Sequence, residues 1–188
     1  MEQYLLGIDV GTQSVKAVLF SRAGTRMAAC TEPLRLQTPA PNAVEQDPAG
    51  ILCAVLQTIR NTVAQSGVDP RAVAAIGIDA QMAGIMGVDE SLCPTTPYDS
   101  WLDARCLPYA ERMKAAAEDA VIQSTGGQIG LTHGPKILWL LHENPAAYRK
   151  TARFLTLTAY LTAAICGLRA EDAFIDTTHL HFTGSLKS

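Results

Sequence analysis

LLGIDVGTQSVKAVLF, residues Leu5 to Phe20, places two short apolar runs on either side of a polar turn. Leu5, Leu6 and Ile8 lead as a buried strand into Asp9, and Val15, Ala17, Val18, Leu19 and Phe20 continue as a second strand, so DVGTQS reads as the turn of a β-hairpin. The turn holds the residue types of a phosphate cradle. Gly11 is expected to take a backbone angle that other residues avoid and to leave its N–H open to an anion. The hydroxyls of Thr12 and Ser14, with the successive amides of the turn around Gln13, are expected to hydrogen-bond phosphate oxygens. Asp9 at the strand end suits Mg²⁺ held through water, and Lys16 adds positive charge. The plain alternative is an ordinary polar hairpin. The alternation of Asp, Gly, Thr, Ser and Lys in register favours phosphate binding, and with it phosphoryl transfer.

Working outward, a third strand is expected near 26–36, then a helix from Pro48 to Ser66. Asp47 is a natural N-cap, Pro48 a natural first helical residue and Gly67 a stop. Ile51, Leu52, Val55, Leu56, Ile59 and Val63 fall at three- and four-residue spacings, which gives that helix one apolar face for the sheet. Val73 to Ile78 and Ile85 to Val88 read as further strands, with QMAG between them as a bend and Asp89 starting a turn. The alanine-rich stretch from Leu107 to Ala120 is helical, TGGQIG is a loop, and Pro135 opens a helix through Trp139 to His142. Two further helical stretches follow Pro145 with a break at Gly167, and Ala173 to Phe182 reads as strand or irregular chain.

Composition fits a soluble enzyme. With 188 residues, 48% hydrophobic, 18% charged and a net charge of −3, the chain can bury one sizeable core and offers no basic surface for nucleic acid. Cys30, Cys53, Cys93, Cys106 and Cys166 are scattered, odd in number and without CxxC spacing, which argues for reduced thiols in a cytoplasm. No signal peptide pattern precedes the first strand. The apolar stretch from Phe154 to Leu168 is broken by threonines and is shorter than the about 20 residues a bilayer takes, so no membrane association is expected. His142, His179 and His181 show no metal-ligand spacing.

DVGTQSVK resembles the first phosphate motif of the FGGY carbohydrate kinases, members of the actin-like, ribonuclease-H-like ATPase superfamily. The resemblance continues in order through EQDP at Glu45 to Pro48, IGIDAQMAG at Ile76 to Gly84, YDSWLDARC at Tyr98 to Cys106, TGG at Thr125 to Gly127 and PKILWL at Pro135 to Leu140. It implies an α/β fold, a ribonuclease-H-like mixed sheet flanked by helices with a helical insertion. It also implies that residues 1–188 form the N-terminal, sugar-binding domain of a two-domain kinase using ATP and Mg²⁺. The C-terminal nucleotide-binding domain, with the general-base aspartate, would lie beyond Ser188. Domains of this family often pair, so a homodimer is a further expectation.

In FGGY kinases the QMAG bend and the tryptophan-bearing strand face the cleft between the two domains. The resemblance therefore sets Gln81, Met82 and Ala83 over the substrate, stacks Trp101 on the sugar's carbon face, and brings Asp103 and Arg105 nearby. Such residues suit a sugar, because a ring covers C–H surface while amide, carboxylate and guanidinium groups satisfy hydroxyls. Read without the resemblance, Trp101 is as readily a core residue, and Asp103 with Arg105 an ion pair. His133 precedes a helix where the family often places a substrate contact; a solvated loop histidine is the alternative. Xylulose kinases usually carry His at the position of Ala83, and glycerol kinases an Arg-Glu pair at those of Met82 and Ala83. The smaller, more apolar wall here leaves room for another ketose, a deoxy sugar or a sugar alcohol. The expected activity is ATP-dependent phosphorylation of a sugar or polyol hydroxyl, with the chain inactive by itself. A stand-alone sugar-binding or regulatory module is one alternative, and an actin-like ATPase of assembly or chaperone type is another.

Overall fold

A computed structural model describes residues 2–174, so Asp176, His179, His181 and most of the expected terminal segment lie outside the described residues. In chain order the elements begin with β1 (Tyr4–Val10), β2 (Ser14–Ser21), β3 (Arg26–Pro33), β4 (Glu45–Gln46), α1 (Pro48–Ser66), β5 (Val73–Ala80), β6 (Met86–Val88) and β7 (Tyr98–Asp99). They continue with α2 (Leu107–Thr125), α3 (His133–Glu143), α4 (Pro145–Lys150), β8 (Arg153–Leu155) and α5 (Leu157–Cys166). The chain divides into two compact units, one built from the chain up to Leu36 with Pro48–Gln81, the other from Gln37–Asp47 with the chain from Met82 onward.

The first unit is a four-stranded sheet in the order β3-β2-β1-β5. The β1–β2 hairpin pairs antiparallel from Tyr4↔Ser21 to Val10↔Val15, and β5 lies parallel to β1 with Asp79 beside Asp9. Alternation sends Leu6, Ile8, Val10, Val15, Ala17 and Leu19 to one buried face, while Leu5, Asp9 and Lys16 point to the exposed one. The helix α1 packs on β2 and β3 over the span its capping and periodicity predict. Its buried stripe is rotated from the expected one: Ile51 and Val55 are buried, but they are joined by Thr58 and Thr62, while Ile59 and Val63 are only half-buried. The threonines tolerate this because each hydroxyl donates to a carbonyl one turn back, Thr58 to Ala54 at 2.7 Å and Thr62 to Thr58 at 2.8 Å. Mixed strand pairing with a crossover helix on one face matches the expected sheet architecture.

The second unit combines two short ribbons with helices. One ribbon pairs β4 with β7 antiparallel, Glu45 opposite Asp99, and the other pairs β6 with β8. β4 and β8 are not expected from the sequence, since two or three residues carry no readable alternation, and of the expected tryptophan-bearing strand only Tyr98–Asp99 is strand, as β7. Helix α2 runs past its expected end at Ala120 to Thr125 and stops at Gly126, whose φ of 70° lets its N–H close on the Ile122 carbonyl. It packs on α3, where the Tyr109 ring stacks on His142 at 5.4 Å and the Tyr109 hydroxyl donates to Glu143 at 2.6 Å. Asn144 and Thr156 cap α4 and α5, and Gly167 ends α5 in the left-handed region as expected. All five cysteines are free thiols. Among the described residues no helix is long and apolar enough to cross a membrane.

Candidate functional site

The hairpin turn of the first unit closes differently from its expectation. Gly11 is not among the glycines with positive φ, and its N–H donates to the Ser14 carbonyl at 3.0 Å. The amide expected to stand open to an anion is therefore used to shut the turn. The loop tip is then Thr12 and Gln13, and the Gln13 carbonyl is tied down by the Leu34 N–H at 2.8 Å. Gln81, expected over a substrate, is joined to this turn instead. Its N–H donates to the Val10 carbonyl at 3.0 Å, its side-chain amide donates to the Gly11 carbonyl at 3.3 Å, and its amide oxygen accepts from the Thr12 hydroxyl at 3.4 Å. Beside the turn, strand register sets Lys16, Asp9 and Asp79 in a row across β2, β1 and β5, all three exposed. Two exposed carboxylate side chains at adjacent strand ends are the hard oxygen donors that Mg²⁺ takes, with water filling its remaining positions. Asp79 is the member of this row that the sequence reading missed, because only parallel pairing brings it beside Asp9.

In the second unit the QMAG bend continues with Met82, which is exposed, and Ala83, which sits at a φ of 61°. A non-glycine residue there carries about 1 kcal/mol or more of backbone strain, of the kind found at functional bends. Gly84 follows because nothing larger fits: a Cβ there would overlap the hydroxyl and ring of the fully buried Tyr98.

Trp101 lies in a turn after β7 rather than in a strand, and it is 47% exposed. The turn is fixed from several sides. Within it, the Asp103 N–H donates to the Ser100 carbonyl at 3.0 Å, and on β4's flank the Ser100 N–H donates to the Val44 carbonyl at 3.0 Å. Asp103 is only 1% exposed, and its carboxylate accepts the Val44 N–H at 2.9 Å and the Arg105 N–H at 3.1 Å. Those bonds leave it organising the turn, not open to a sugar hydroxyl. The Arg105 guanidinium then reaches three carboxylates, Glu45 at 2.6 Å, Asp99 at 2.9 Å and Asp103 at 2.8 Å, and lies over the Trp139 ring at 4.2 Å. The oxygens of Glu45, Asp99 and Asp103 cluster within 4.8 Å of one another, a spacing open to a metal ion, but the Arg105 guanidinium already pairs with all three. His133, expected on substrate or in solvent, is buried at the first residue of α3. Glu45, Asp99, Lys136 and Trp139 are the members of this constellation that sequence reasoning did not single out. The one available signal was Lys136 and Trp139 three residues apart in PKILWL, hence on one face of a helix.

Burial in this cluster shifts charges. It pushes the Asp99 carboxyl up to about 7, against the pull of Arg105 and with the help of Asp103. For Arg105, burial opposes the charge, and the bonds to Asp103 with the charges of Asp99 and Glu45 outweigh it, so the group is held above its ordinary value. An Asp in an unfolded chain titrates near about 3.9, so the folded protein holds the Asp99 proton more tightly than the unfolded one. The stability this contributes is complete below about pH 4 and is lost as the pH rises toward 7, with a limiting slope of about 1.4 kcal/mol per pH unit. Urea unfolding between pH 5 and pH 8 is expected to show that decline in the parent and a flatter profile in Asp99→Asn. Equal slopes in the two proteins would remove Asp99 as its source.

Comparison with known proteins adds to this geometry. The family model for the N-terminal domain of the FGGY family of carbohydrate kinases matches residues 4–180. A glycerol kinase of Chromobacterium violaceum is 33% identical over 149 residues, which are 78% of this chain and 30% of that protein. A gluconokinase of Bacillus subtilis is 30% identical over 163 residues, 86% of this chain and 31% of the relative. The crystal structure of gluconate kinase from Lactobacillus acidophilus superposes with a TM-score of 0.86 at 22% identity, covering 98% of this chain and 36% of that one, which is a likeness of fold. The chain thus spans roughly a third of the length of the relatives it matches.

Proposed function

Because the chain belongs to the FGGY family of carbohydrate kinases, with the actin-like ATPase fold of that family's N-terminal domain, we propose that it serves the ATP-dependent phosphorylation of a sugar or polyol hydroxyl. The observation that carries this reading is Trp101. A tryptophan kept for packing would be buried, whereas this ring is about half exposed on a turn held by buried Asp99, Asp103 and Lys136. A rigid, accessible aromatic face is what the C–H surface of a sugar stacks against. Met82 and Ala83 would supply the neighbouring wall. Glycerol kinases carry an Arg-Glu pair at those two positions, so a ketose, deoxy sugar or sugar alcohol suits this wall better than glycerol.

The phosphate end of the reaction belongs to the hairpin turn. Bound Mg²⁺·ATP supplies the phosphoryl group and the charge that offsets its transfer. Asp9, with Asp79 beside it, would hold the metal through water. Thr12, Gln13 and Ser14 would offer hydroxyl and amide donors to phosphate oxygens, and Lys16 positive charge. The Thr12 hydroxyl has a single proton, so donating to phosphate requires releasing Gln81; phosphate binding and the Gln81 side chain are thereby coupled. The general base for the attacking hydroxyl and the adenine pocket are assigned to the C-terminal domain that relatives carry in the two thirds of their length outside this match.

The 188-residue chain is then expected to release no ADP from ATP with any of a panel of ketoses and sugar alcohols, and to bind the preferred sugar weakly. Saturation-transfer NMR on the chain is expected to show contact with one sugar of the panel and its loss in Trp101→Ala. Turnover by the chain alone would overturn the division of labour, and sugar contact unchanged in Trp101→Ala would overturn the site. Sequencing the coding DNA past Ser188 decides between a lobe of a longer kinase and a stand-alone sugar-binding module: an open frame bearing a second phosphate motif supports the first, a stop codon the second.

A further inference from the structure

Beside the Trp101 turn lies a lysine that is only 1% exposed. Lys136 is on the first turns of α3, and its Nζ donates to the Ser100 carbonyl at 2.8 Å and to the Asp103 carbonyl at 3.1 Å. Those two carbonyls bracket Trp101 and Leu102. The Ser100 carbonyl also accepts the Asp103 N–H that closes the turn, so Lys136 reinforces the bond on which the turn depends. One helical turn further along α3, Trp139 lies under Arg105, which grips the Asp103 carboxylate from its other end. A single helix face thus holds the Trp101 turn twice, through its backbone by Lys136 and through its side chains by way of Arg105.

We propose that Lys136 is a positioning residue: its buried ammonium pins the Ser100 and Asp103 carbonyls and so fixes the orientation in which Trp101 is presented. The assignment rests on Trp101 being the substrate platform for its functional meaning, but not for its geometry. A methionine or leucine would fill the same volume without the cost of desolvating a cation, so packing does not explain a lysine here. Burial draws the Lys136 pKa down, and the charges of Asp99, Cys106 and Asp103 oppose that shift while Arg105 adds to it. The flexible stem of lysine and its ammonium with three donors suit two backbone carbonyls at once.

The test uses the 188-residue chain labelled with 5-fluorotryptophan, which gives two ¹⁹F resonances, Trp101 being assigned by its loss in Trp101→Phe. The parent is expected to show one sharp Trp101 line, and Lys136→Met a line that splits or broadens while circular dichroism still reports a folded chain. Removing the cation also leaves Asp99 without one of its charge partners, so the double variant Lys136→Met with Asp99→Asn restores charge balance without restoring the bonds to the carbonyls. It is expected to recover part of the stability lost in Lys136→Met and to keep the disturbed Trp101 line. A Trp101 line identical to the parent's in either folded variant would overturn the proposal, as would failure of both variants to fold, which would make Lys136 a general core residue. The readout needs no sugar. Absence of sugar binding by the parent would therefore remove the proposed function while leaving the positioning role intact.

Discussion

Arg105→Met is expected to cost at least about 3 kcal/mol of stability, the toll of removing one partner from a buried ion cluster, and to lose the fixed tertiary structure of the second unit. Three carboxylates converge on this guanidinium at 2.6–2.9 Å, and Asp103 among them is almost wholly buried. Methionine replaces the volume and nothing else, so the loss measures uncompensated negative charge rather than a cavity. Against a total stability of about 5–15 kcal/mol for a domain of this kind, that is a large fraction. Asp99, already raised by burial, would take up a proton more readily, so the deficit is expected to be smaller at pH 5 than at pH 8. Arg105→Lys keeps the charge but lacks the planar fork that serves several carboxylates together, and is expected to fall between parent and methionine variant. Urea unfolding monitored by near-ultraviolet circular dichroism measures all three. A methionine variant within about 1 kcal/mol of the parent at pH 8 would mean that the cluster is neutralised by proton uptake alone.

What was legible in the sequence follows the range over which each signal acts. The β1–β2 hairpin and α1 come from local information: alternation in the strands, then Asp47, Pro48 and Gly67 around a periodic run. The rotation of α1 toward Thr58 and Thr62 was hidden because a hydrophobicity pattern scores a threonine as polar, whatever its hydroxyl finds one turn back. At the turn, glycine signalled conformational freedom, yet Gly11 stays in an ordinary conformation and donates its N–H within the hairpin. Six ordered blocks identified the family, and the family model bears that out. They named Trp101, Asp103 and Arg105 as a group without separating the exposed ring from the buried carboxylate that holds it. That distinction depends on Val44, 59 residues before Asp103, and on Lys136, 36 residues after Ser100, and so on contacts no local pattern encodes.

If the chain serves as the N-terminal lobe of a two-domain sugar kinase, as proposed, Asp9→Asn is expected to lower kcat of that enzyme by on the order of 10²-fold or more, about 3 kcal/mol of transition-state stabilisation, with little change in the KM for sugar. The change is nearly isosteric, and Asp9 is exposed at the end of β1, so the fold has no reason to respond. Charge does change. In the row Lys16, Asp9, Asp79, the central carboxylate separates an ammonium from a second carboxylate, and its removal leaves Asp79 as the one carboxylate of that row. If Asp9 holds Mg²⁺ through water, the variant needs a higher Mg²⁺ concentration for half-maximal rate, and raising Mg²⁺ recovers part of the loss. If Asp9 instead orders the turn through its neighbours, the loss is the same at every Mg²⁺ concentration. Asp79→Asn separates the two further, because a shared metal site predicts a smaller shift of the same Mg²⁺ dependence, whereas a role confined to Asp9 predicts none. A variant with the parent's kcat would remove the hairpin turn from the chemistry and leave Trp101 as the chain's whole contribution.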